Sequence, residues 1–590
     1  MNGVNPVTVE VIRNGLIAAS RDIRRTIERA AYSPILHEVV DFSCAILDSE
    51  ANVLGETAGL PSFLGSLGYA VESAYKTIGR ERIRPGDVII CNDPYNGGGT
   101  HCPDIAALCP TFFQNELQGW AAFRGHTVDM GGMHPGGWYS DTTEVFQEGV
   151  RFPPVKLYAD GEPQQDIFHM IAANTRVPRA VVGDVRAMAT AVQKGSQRYY
   201  EIFAKYGLDV TLGAIQEILD QGERMSRAAI RTIPNGVYRG EAIFDGDGSD
   251  DAILDEAVKI KVAVTVEDEE MTIDFAGTDP PCKGPLNVPE PSTICTARYA
   301  FKMVTTPFLP NNDGFSRPLK IVIPDGSLLN AQCPSACALW GPACNTVADL
   351  ILKTLAPAIP DRVRAGHFGD CMSHFIYGTD PRSGEYYVCA QGNTGGYGGK
   401  PTQDGESGFF CMMLGDTYNV PAEVTEIRHP WRLERLELIQ DSGGPGRHRG
   451  GLGVRREYRI GSECGLTVTA ERCLYTPPWG LFGGKPGGTN ITVIQRKDGS
   501  EERWRKVSDL RLSAGDLVSF QGGGGGGYGL PLERKPEDVL SDVRNGYVSK
   551  EKAEKEYGIV IDQETMAVNI QETQNLRPLL GGRYEGECAA

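Results

Sequence analysis

Between residues 8 and 32, apolar side chains recur at helical spacing: Val11, Ile12, Leu16, Ala19, Ile23, Ile27, Ala30 and Ala31, with Arg and Glu filling the other face. That period predicts a long amphipathic helix. It then gives way to a nearly continuous apolar run over 39–47, which predicts a strand, turned by 48–52 into a return strand starting at Val53 and Leu54. Residues 62–79 predict a helix. Pro85-Gly86-Asp87 predicts a turn before a strand at 88–91. An irregular segment over 92–101 follows, then a strand pair at 105–108 and 119–124. Residues 165–233, rich in Ala, Gln, Arg and Met, predict helix.

From about residue 235 the texture changes. Residues 238–245 and 258–275 alternate like strands, short helical patterns sit at 290–303 and 345–355, and 380–535 is dense in Gly, Thr, Val and turn signals. Residues 535–560 return to charged helix, and 563–590 read as a polar, mobile tail. No period of 20–50 residues marks a repeat array. The expectation is an α+β (mixed α/β), multi-lobed chain. It divides into a mixed N-terminal region over 1–235 that holds the chemistry, a β-rich region with short helices over 236–535, and a C-terminal helix with its tail over 536–590.

Composition narrows the function. A chain of 590 residues accommodates several units of roughly 100–200 residues or one large intertwined body. Its 72 glycines are clustered, which reads as tight turns and close backbone approaches. A net charge of −18 opposes nucleic-acid binding, because phosphate backbones need a basic surface. The first residues show neither a basic stretch nor an apolar one, and no run of about 18 apolar residues occurs, so a soluble cytoplasmic protein is expected. Fifteen cysteines without a C-x-x-C read mostly as reduced, buried thiols; Cys333 and Cys337 alone are a weak metal or redox signal.

The candidate chemistry lies between residues 92 and 144. Only nine histidines occur in the chain, and His101, His126 and His134 fall close together in glycine-rich surroundings. His101 with Asp104, and His126 with Asp129, repeat an H-x-x-D spacing. Two imidazoles with carboxylates make a mixed nitrogen and oxygen set that suits Mn, Fe or Zn better than Mg or Ca. Spacing alone leaves two readings open, a metal site and hydrogen-bonded structural histidines. No G-x-x-x-x-G-K-[ST] phosphate loop, G-x-S-x-G elbow or H-E-x-x-H occurs. The run from Gly522 to Gly527 has no following Lys-Ser/Thr and reads as a turn or close-packed loop.

At these residues the chain resembles the hydantoinase B/oxoprolinase family. The resemblance is carried by Gly86-Asp87, Asn92-Asp93-Pro94-Tyr95, Gly98-Gly99-Thr100-His101-Cys102-Pro103-Asp104, Arg124-Gly125-His126 and Asp129-Met130-Gly131-Gly132. It continues through Asp141-Thr142-Thr143-Glu144-Val145, Asp274-Phe275-Ala276-Gly277-Thr278, Ser442-Gly443-Gly444-Pro445-Gly446 and Gly526-Gly527-Tyr528-Gly529, covering roughly residues 5–560. One departure is a third glycine before Thr100, where many relatives have two.

The resemblance implies a metal site built from Asp41, His101, Asp104 and His126. Asp41 stands in an apolar run, where a carboxylate is costly unless paired or bound to metal. The resemblance also implies a hetero-oligomer in which a hydantoinase-A-type partner binds ATP and Mg. The reaction expected is ATP-dependent opening of a cyclic amide such as a hydantoin, lactam or 5-oxoproline. The alternatives are an ATP-dependent, bicarbonate-using ketone carboxylase and a non-catalytic partner subunit. Beside the metal, Asp129 is a candidate base or ligand-orienting group, and His134 and Arg124 are candidates for binding developing negative charge.

Overall fold

The computed structural model describes residues 4–248, 257–562 and 564–588, with side chains through residue 580. The chain opens with helix α1 (Pro6–Ala30), which Pro6 starts and Asn5 caps by accepting from the backbone N–H of Val7 at 2.9 Å. After it come short α2 (Pro34–His37) and the strands β1 (Phe42–Asp48) and β2 (Val53–Glu56). The predicted strand over 39–47 begins late, because α2 and the left-handed backbone of Val40 (φ 61°) precede it, and Asp41 therefore sits just outside the strand. The predicted helix over 62–79 is broken into α3 (Pro61–Leu64) and α4 (Leu67–Ile78). Gly65 at the break packs on Cys295, where a Cβ would not fit.

Five further strands complete the first sheet: β3 (Val88–Cys91), β4 (Asp104–Phe113), β5 (Glu116–His126), β6 (Val155–Ala159) and β7 (Glu162–Pro163). Its order is β2-β1-β5-β4-β3-β6-β7, with every neighbouring pair antiparallel. The continuous apolar runs of β1 and β5 arise because both faces are covered. Cys44, Ile46, Ala121 and Phe123 join the core under α1 and under the long helix over 178–206, whereas Ala45, Leu47, Trp120 and Ala122 pack under α4. The stretch read as mostly helical forms α5 (Gln165–Ala173), α6 (Pro178–Tyr206) and α7 (Leu208–Ile230), with Gly207 at φ 80° making the tight turn between the last two.

A second sheet contains β8 (Gly236–Ile243), β9 (Lys259–Glu267), β10 (Glu270–Asp274) and β11 (Leu319–Val322) in the order β11-β10-β9-β8. The alternation expected over 258–275 is realised in β9, whose Ile260, Val262, Val264 and Val266 face the core. Helices α8 (Glu290–Thr305) and α9 (Trp340–Leu355) cover this sheet, and the apolar core runs without interruption from Val9 to Met413.

The glycine- and valine-rich part builds two more sheets. One has β12 (His374–Thr379) and β13 (Tyr386–Gln391), followed after α10 (Ala422–Arg428) and the strands β14 (Trp431–Leu438) and β15 (Val454–Ile460) by β16 (Cys464–Thr469). Then come β17 (Ile491–Gln495), β18 (Glu501–Trp504), β19 (Lys506–Leu512) and β20 (Leu517–Gln521). The sheets are β13-β12-β16-β19 and β14-β15-β20-β17-β18, and they share one core containing Ile376, Trp431, Tyr458, Leu466 and Val518. Beside them the run 522–527 threads between other glycine-rich segments. Gly396 donates to Gly523, Gly399 to Gly526, Gly444 to Gly525 and Gly525 to Gly451, all at 2.8–2.9 Å. Of the two readings its composition allowed, a turn or a close-packed loop, the run is close-packed backbone.

The charged C-terminal stretch forms α11 (Pro536–Arg544) and α12 (Lys550–Tyr557), separated at Gly546 (φ 73°). Within the stretch read as a polar tail, α13 (Ile570–Cys588) is helical. It is tied back by Arg577, which donates to the carbonyls of Tyr557 (3.2 Å) and Arg534 (2.6 Å). Residue 563 and residues 589–590 of that stretch lie outside the described residues. The architecture is mixed α/β. The cysteines whose side chains are described are free thiols, buried except Cys282 and Cys333. Among the described residues no helix is long and apolar enough to cross a membrane.

Candidate metal centre

The candidate site grows from the β4–β5 hairpin. Asp104 begins β4 and His126 ends β5, and the ladder register sets the two opposite each other. His101 comes from the loop leading into β4. That loop is held by Arg124 of β5, whose side chain is fully buried. Its Nη1 donates to the carbonyls of Gly98 (3.2 Å) and Gly99 (2.8 Å) and to Thr100 Oγ1 (3.1 Å), and its Nη2 donates to the Gly97 carbonyl (2.8 Å). Gly98 and Gly99 adopt φ 94° and 91°, and a Cβ on Gly98 would lie 2.7 Å from the backbone nitrogen of Ala70. Three residues other than glycine are also left-handed here: Val40 (φ 61°) before Asp41, Thr100 (φ 72°) before His101, and Met372 (φ 42°) between Cys371 and Ser373. Such conformations cost about 1–3 kcal/mol each and cluster where side chains are held for a function.

His101 Nε2 lies 3.3 Å from Asp104 Oδ2, and the His101 and His126 rings are 5.0 Å apart between centroids. One ligand atom from each of His101, Asp104 and His126 falls within 4.8 Å of the others, and all three residues are buried. The 3.3 Å contact is not an aligned hydrogen bond. Both Asp104 carboxylate oxygens, His101 Nδ1, His126 Nδ1 and Asp41 Oδ1 are buried without any hydrogen-bond partner among the described residues. Native proteins leave few such groups unsatisfied, and this many converging in one place fits a bound cation.

The charge states agree with that reading. Burial would push the Asp104 carboxyl up, but His101, and then His126 and Arg124, outweigh it and hold the group below its ordinary value. Burial pushes His126 down to about 4, so its imidazole is neutral at physiological pH, the form that ligates metal. Burial and the nearby Asp104 raise the Asp41 carboxyl well above the usual carboxylate range.

Asp41, His101 and His126 line one cavity of about 50 Å³, large enough for an ion and a few waters. Asp41 faces this space but stands outside the tight cluster of three. The far wall comes from the second half of the chain, which contributes Trp340, Asn345, Cys371, Ser373, Phe375 and Ala390. Trp138 stands edge-on to His101 at 5.3 Å, Trp340 at 6.0 Å, and Phe375 lies 6.1 Å from His126. Trp340 and Gly341 are in the first turn of α9, so the positive end of that helix dipole faces the cavity. Further along α9, Asp349 accepts from Arg472 (2.5 Å) and Trp479 (3.0 Å). Burial opposes its charge, but Arg472 and His367 hold it down to about 2. No local sequence pattern marks these wall residues.

The three residues expected to act beside the metal are placed elsewhere, and none lines the cavity. The Arg124 guanidinium is occupied by the loop it clamps. Asp129 is buried and accepts from the Arg176 backbone (2.7 Å), Arg176 Nη1 (2.9 Å) and Thr175 Oγ1 (3.2 Å). His134 pairs with Asp141 at 2.9 Å. The second H-x-x-D therefore diverges, because β5 ends at His126 and the chain turns before Asp129.

A family profile described as hydantoinase B/oxoprolinase matches residues 5–531. The chain belongs to the hydantoinase B/oxoprolinase family. It is 32% identical to the B-type component of a putative D-/L-hydantoinase from Pseudomonas sp. strain NS671, over 97% of this chain and 98% of that protein. A crystal structure of an ATP-dependent caprolactamase from Pseudomonas jessenii superposes with a TM-score of 0.90 at 30% identity, covering 98% of this chain and all of that one. An acetone carboxylase in a nucleotide-free structure shares the fold, with a TM-score of 0.91 at 20% identity over 99% of this chain and 84% of its own.

Proposed function

We propose that this chain is the metal-binding subunit of an ATP-dependent amidohydrolase that opens a cyclic amide of the hydantoin, lactam or 5-oxoproline type. It would act in the cytoplasm with a hydantoinase-A-type partner that binds ATP and Mg. The observation that carries the reading is the buried group of His101, Asp104 and His126, with its unpartnered ligand atoms, on a cavity walled by both halves of the chain. The family's hydantoinase and caprolactamase relatives support the amide substrate.

His101, Asp104 and His126, with Asp41 as a fourth ligand, would hold Mn, Fe or Zn. Bound there, the ion would supply Lewis acidity and lower the pKa of a water. The chain's own residues do the rest. Trp138, Trp340 and Phe375 exclude bulk water and fix the two imidazole planes. Arg124 positions His101 through the Gly97–Thr100 loop, and Asp129 positions Arg176. The first turn of α9 favours negative charge developing in the cavity. An unstrained amide is a poor electrophile, so ATP cleavage on the partner would activate its oxygen.

The test is metal content and turnover of the two-subunit enzyme, with His101→Ala and Asp104→Ala variants. Loss of bound metal together with loss of ring opening is expected. Unchanged metal and turnover would overturn the assignment. Turnover of a ketone that depends on bicarbonate would replace the hydrolase with a carboxylase, and wild-type protein free of metal would leave a purely structural role.

A further inference from the structure

The metal cavity has a neighbour. A groove of about 550 Å³ lies against it, and Ile35 and Ala390 line both spaces. Three chain segments lead from one to the other. In α2, Pro34 faces the groove and Ile35 faces both, and between α2 and β1 Asp41 faces the cavity. Along β13, Cys389 faces the groove, Ala390 both and Gln391 the cavity. At the end of β5 His126 is in the cavity, and just past the strand Val128 is in the groove. Small-molecule sites typically occupy about 300–1,000 Å³. The groove meets that size and the inner cavity does not, so the body of a substrate belongs in the groove, with its reacting bond reaching inward between Ile35 and Ala390.

The groove's charge runs against the rest of the chain. The protein carries a net −18, yet the groove lining has Arg176, Arg179 and Arg428 against one carboxylate, Glu385. Arg176 is committed to Asp129 and to the Gly132 carbonyl. Arg179 and Arg428 are exposed, and among the described residues neither has a carboxylate within ion-pair distance. Cations confined to a cleft of an otherwise acidic surface raise the local concentration of anions.

We propose that this groove is the substrate approach to the metal centre, with Ile35 and Ala390 as its constriction. Arg179 and Arg428 select small molecules that carry an anionic group, either a carboxylate of the substrate itself or a phosphate acquired on activation. The inference rests on the metal-site reading above.

The rate at which chelators strip metal from the loaded protein tests it without turnover. Dianionic dipicolinate and neutral 1,10-phenanthroline are compared on wild type, Ala390→Trp, Ile35→Ala and the Arg179→Gln/Arg428→Gln double variant. Ala390→Trp is expected to slow both chelators and Ile35→Ala to speed both. The double variant should slow dipicolinate about tenfold and leave phenanthroline unchanged. Its two positions are exposed, so it keeps the test open if the Trp does not fold. Unchanged rates in both constriction variants, or an arginine effect equal for the two chelators, would overturn the proposal. Protection of wild type against dipicolinate by 5-oxoproline assigns the anion as a carboxylate, and protection by inorganic phosphate assigns it as a phosphate. Protection by neither sinks anion selection. Wild-type protein without metal would remove the function proposed above before the groove is in question, whereas metal-loaded protein indifferent to the groove overturns the groove alone.

Discussion

Asp104 and His126 are cross-strand partners, the first residue of β4 facing the last residue of β5. The turn at Gln114 and Asn115, together with the bulge that shifts the register by one residue between Thr111 and Phe112, thus brings a carboxylate and an imidazole together at the open end of the ladder, beside His101. Because side chains alternate across a sheet, a slip of one residue would turn one of the two to the opposite face.

If these residues hold a cation, the metal must stabilise the fold. At about a hundredfold excess over its Kd, a ligand that binds only the native state contributes about 2.7 kcal/mol. Thermal unfolding of the metal-free protein with and without added Mn or Zn should show this increment in wild type and lose it in Asp104→Asn and His126→Ala. An equal increment in all three would place the metal elsewhere.

Arg124 gives a second expectation. Its planar guanidinium spans Gly97, Gly98, Gly99 and Thr100, a fork that a lysine ammonium cannot reproduce. Supporting residues of metal sites typically change affinity by about 10–100-fold. Arg124→Lys should weaken metal binding by about that factor and also lower the melting temperature without metal, because buried carbonyl oxygens of the loop lose their donors. A calorimetric titration of metal measures the affinity. Unchanged affinity would show that the loop does not position His101.

Much of the sheet skeleton was legible because β1, β3, β4 and β5 are runs buried on both faces, and α1 carries an unbroken helical stripe. The pairing of β3 with β6, and of β16 with β12 and β19, joins segments far apart in sequence that no local period marks. The site divides in the same way. His101, Asp104 and His126 lie close in the chain and were visible as a cluster of ligand types. Trp138, Trp340 and Phe375 reach the cavity only through tertiary packing. Asp129 looked equivalent to Asp104, yet it lies beyond the strand end and pairs with Arg176. Left-handed Val40 and Thr100 were invisible because neither residue type signals that conformation.

Buried neutral histidines set a pH dependence. Burial, with help from Arg456, pushes His374 from an ordinary value of 6.5 down to about 3 while its ring stacks on Phe520 at 3.9 Å. The unfolded chain therefore takes up a proton that the native state refuses. The stability contribution is complete above pH 6.5 and is lost as pH falls from there toward 3, at about 1.4 kcal/mol per pH unit. His126 and His429, each pushed down to about 4 by burial, act in the same direction. Urea unfolding at pH 7 and pH 5 should show His374→Gln losing about 2 kcal/mol less than wild type between the two. Equal losses would mean that His374 is not held neutral.

The glycine layer makes the last prediction. Gly525 donates to Gly451 and accepts from Gly444, and a Cβ built on it would run into the Tyr397 carbonyl and lie 2.6 Å from the Gly398 nitrogen. Those obstacles are backbone, which cannot swing aside as a side chain can. Gly499 differs: it sits in a turn at φ 89° with nothing within 4 Å of its added Cβ. Alanine there should cost only the left-handed penalty of about 1–2 kcal/mol. Gly525→Ala has to displace two hydrogen-bonded strands of the layer, and its loss should exceed about 4 kcal/mol, beyond what ordinary substitutions cost. Soluble yield and denaturant midpoints of the two variants compare them directly. If Gly525→Ala is no worse than Gly499→Ala, the glycines are not required by backbone contact, and the layer owes its composition to something else.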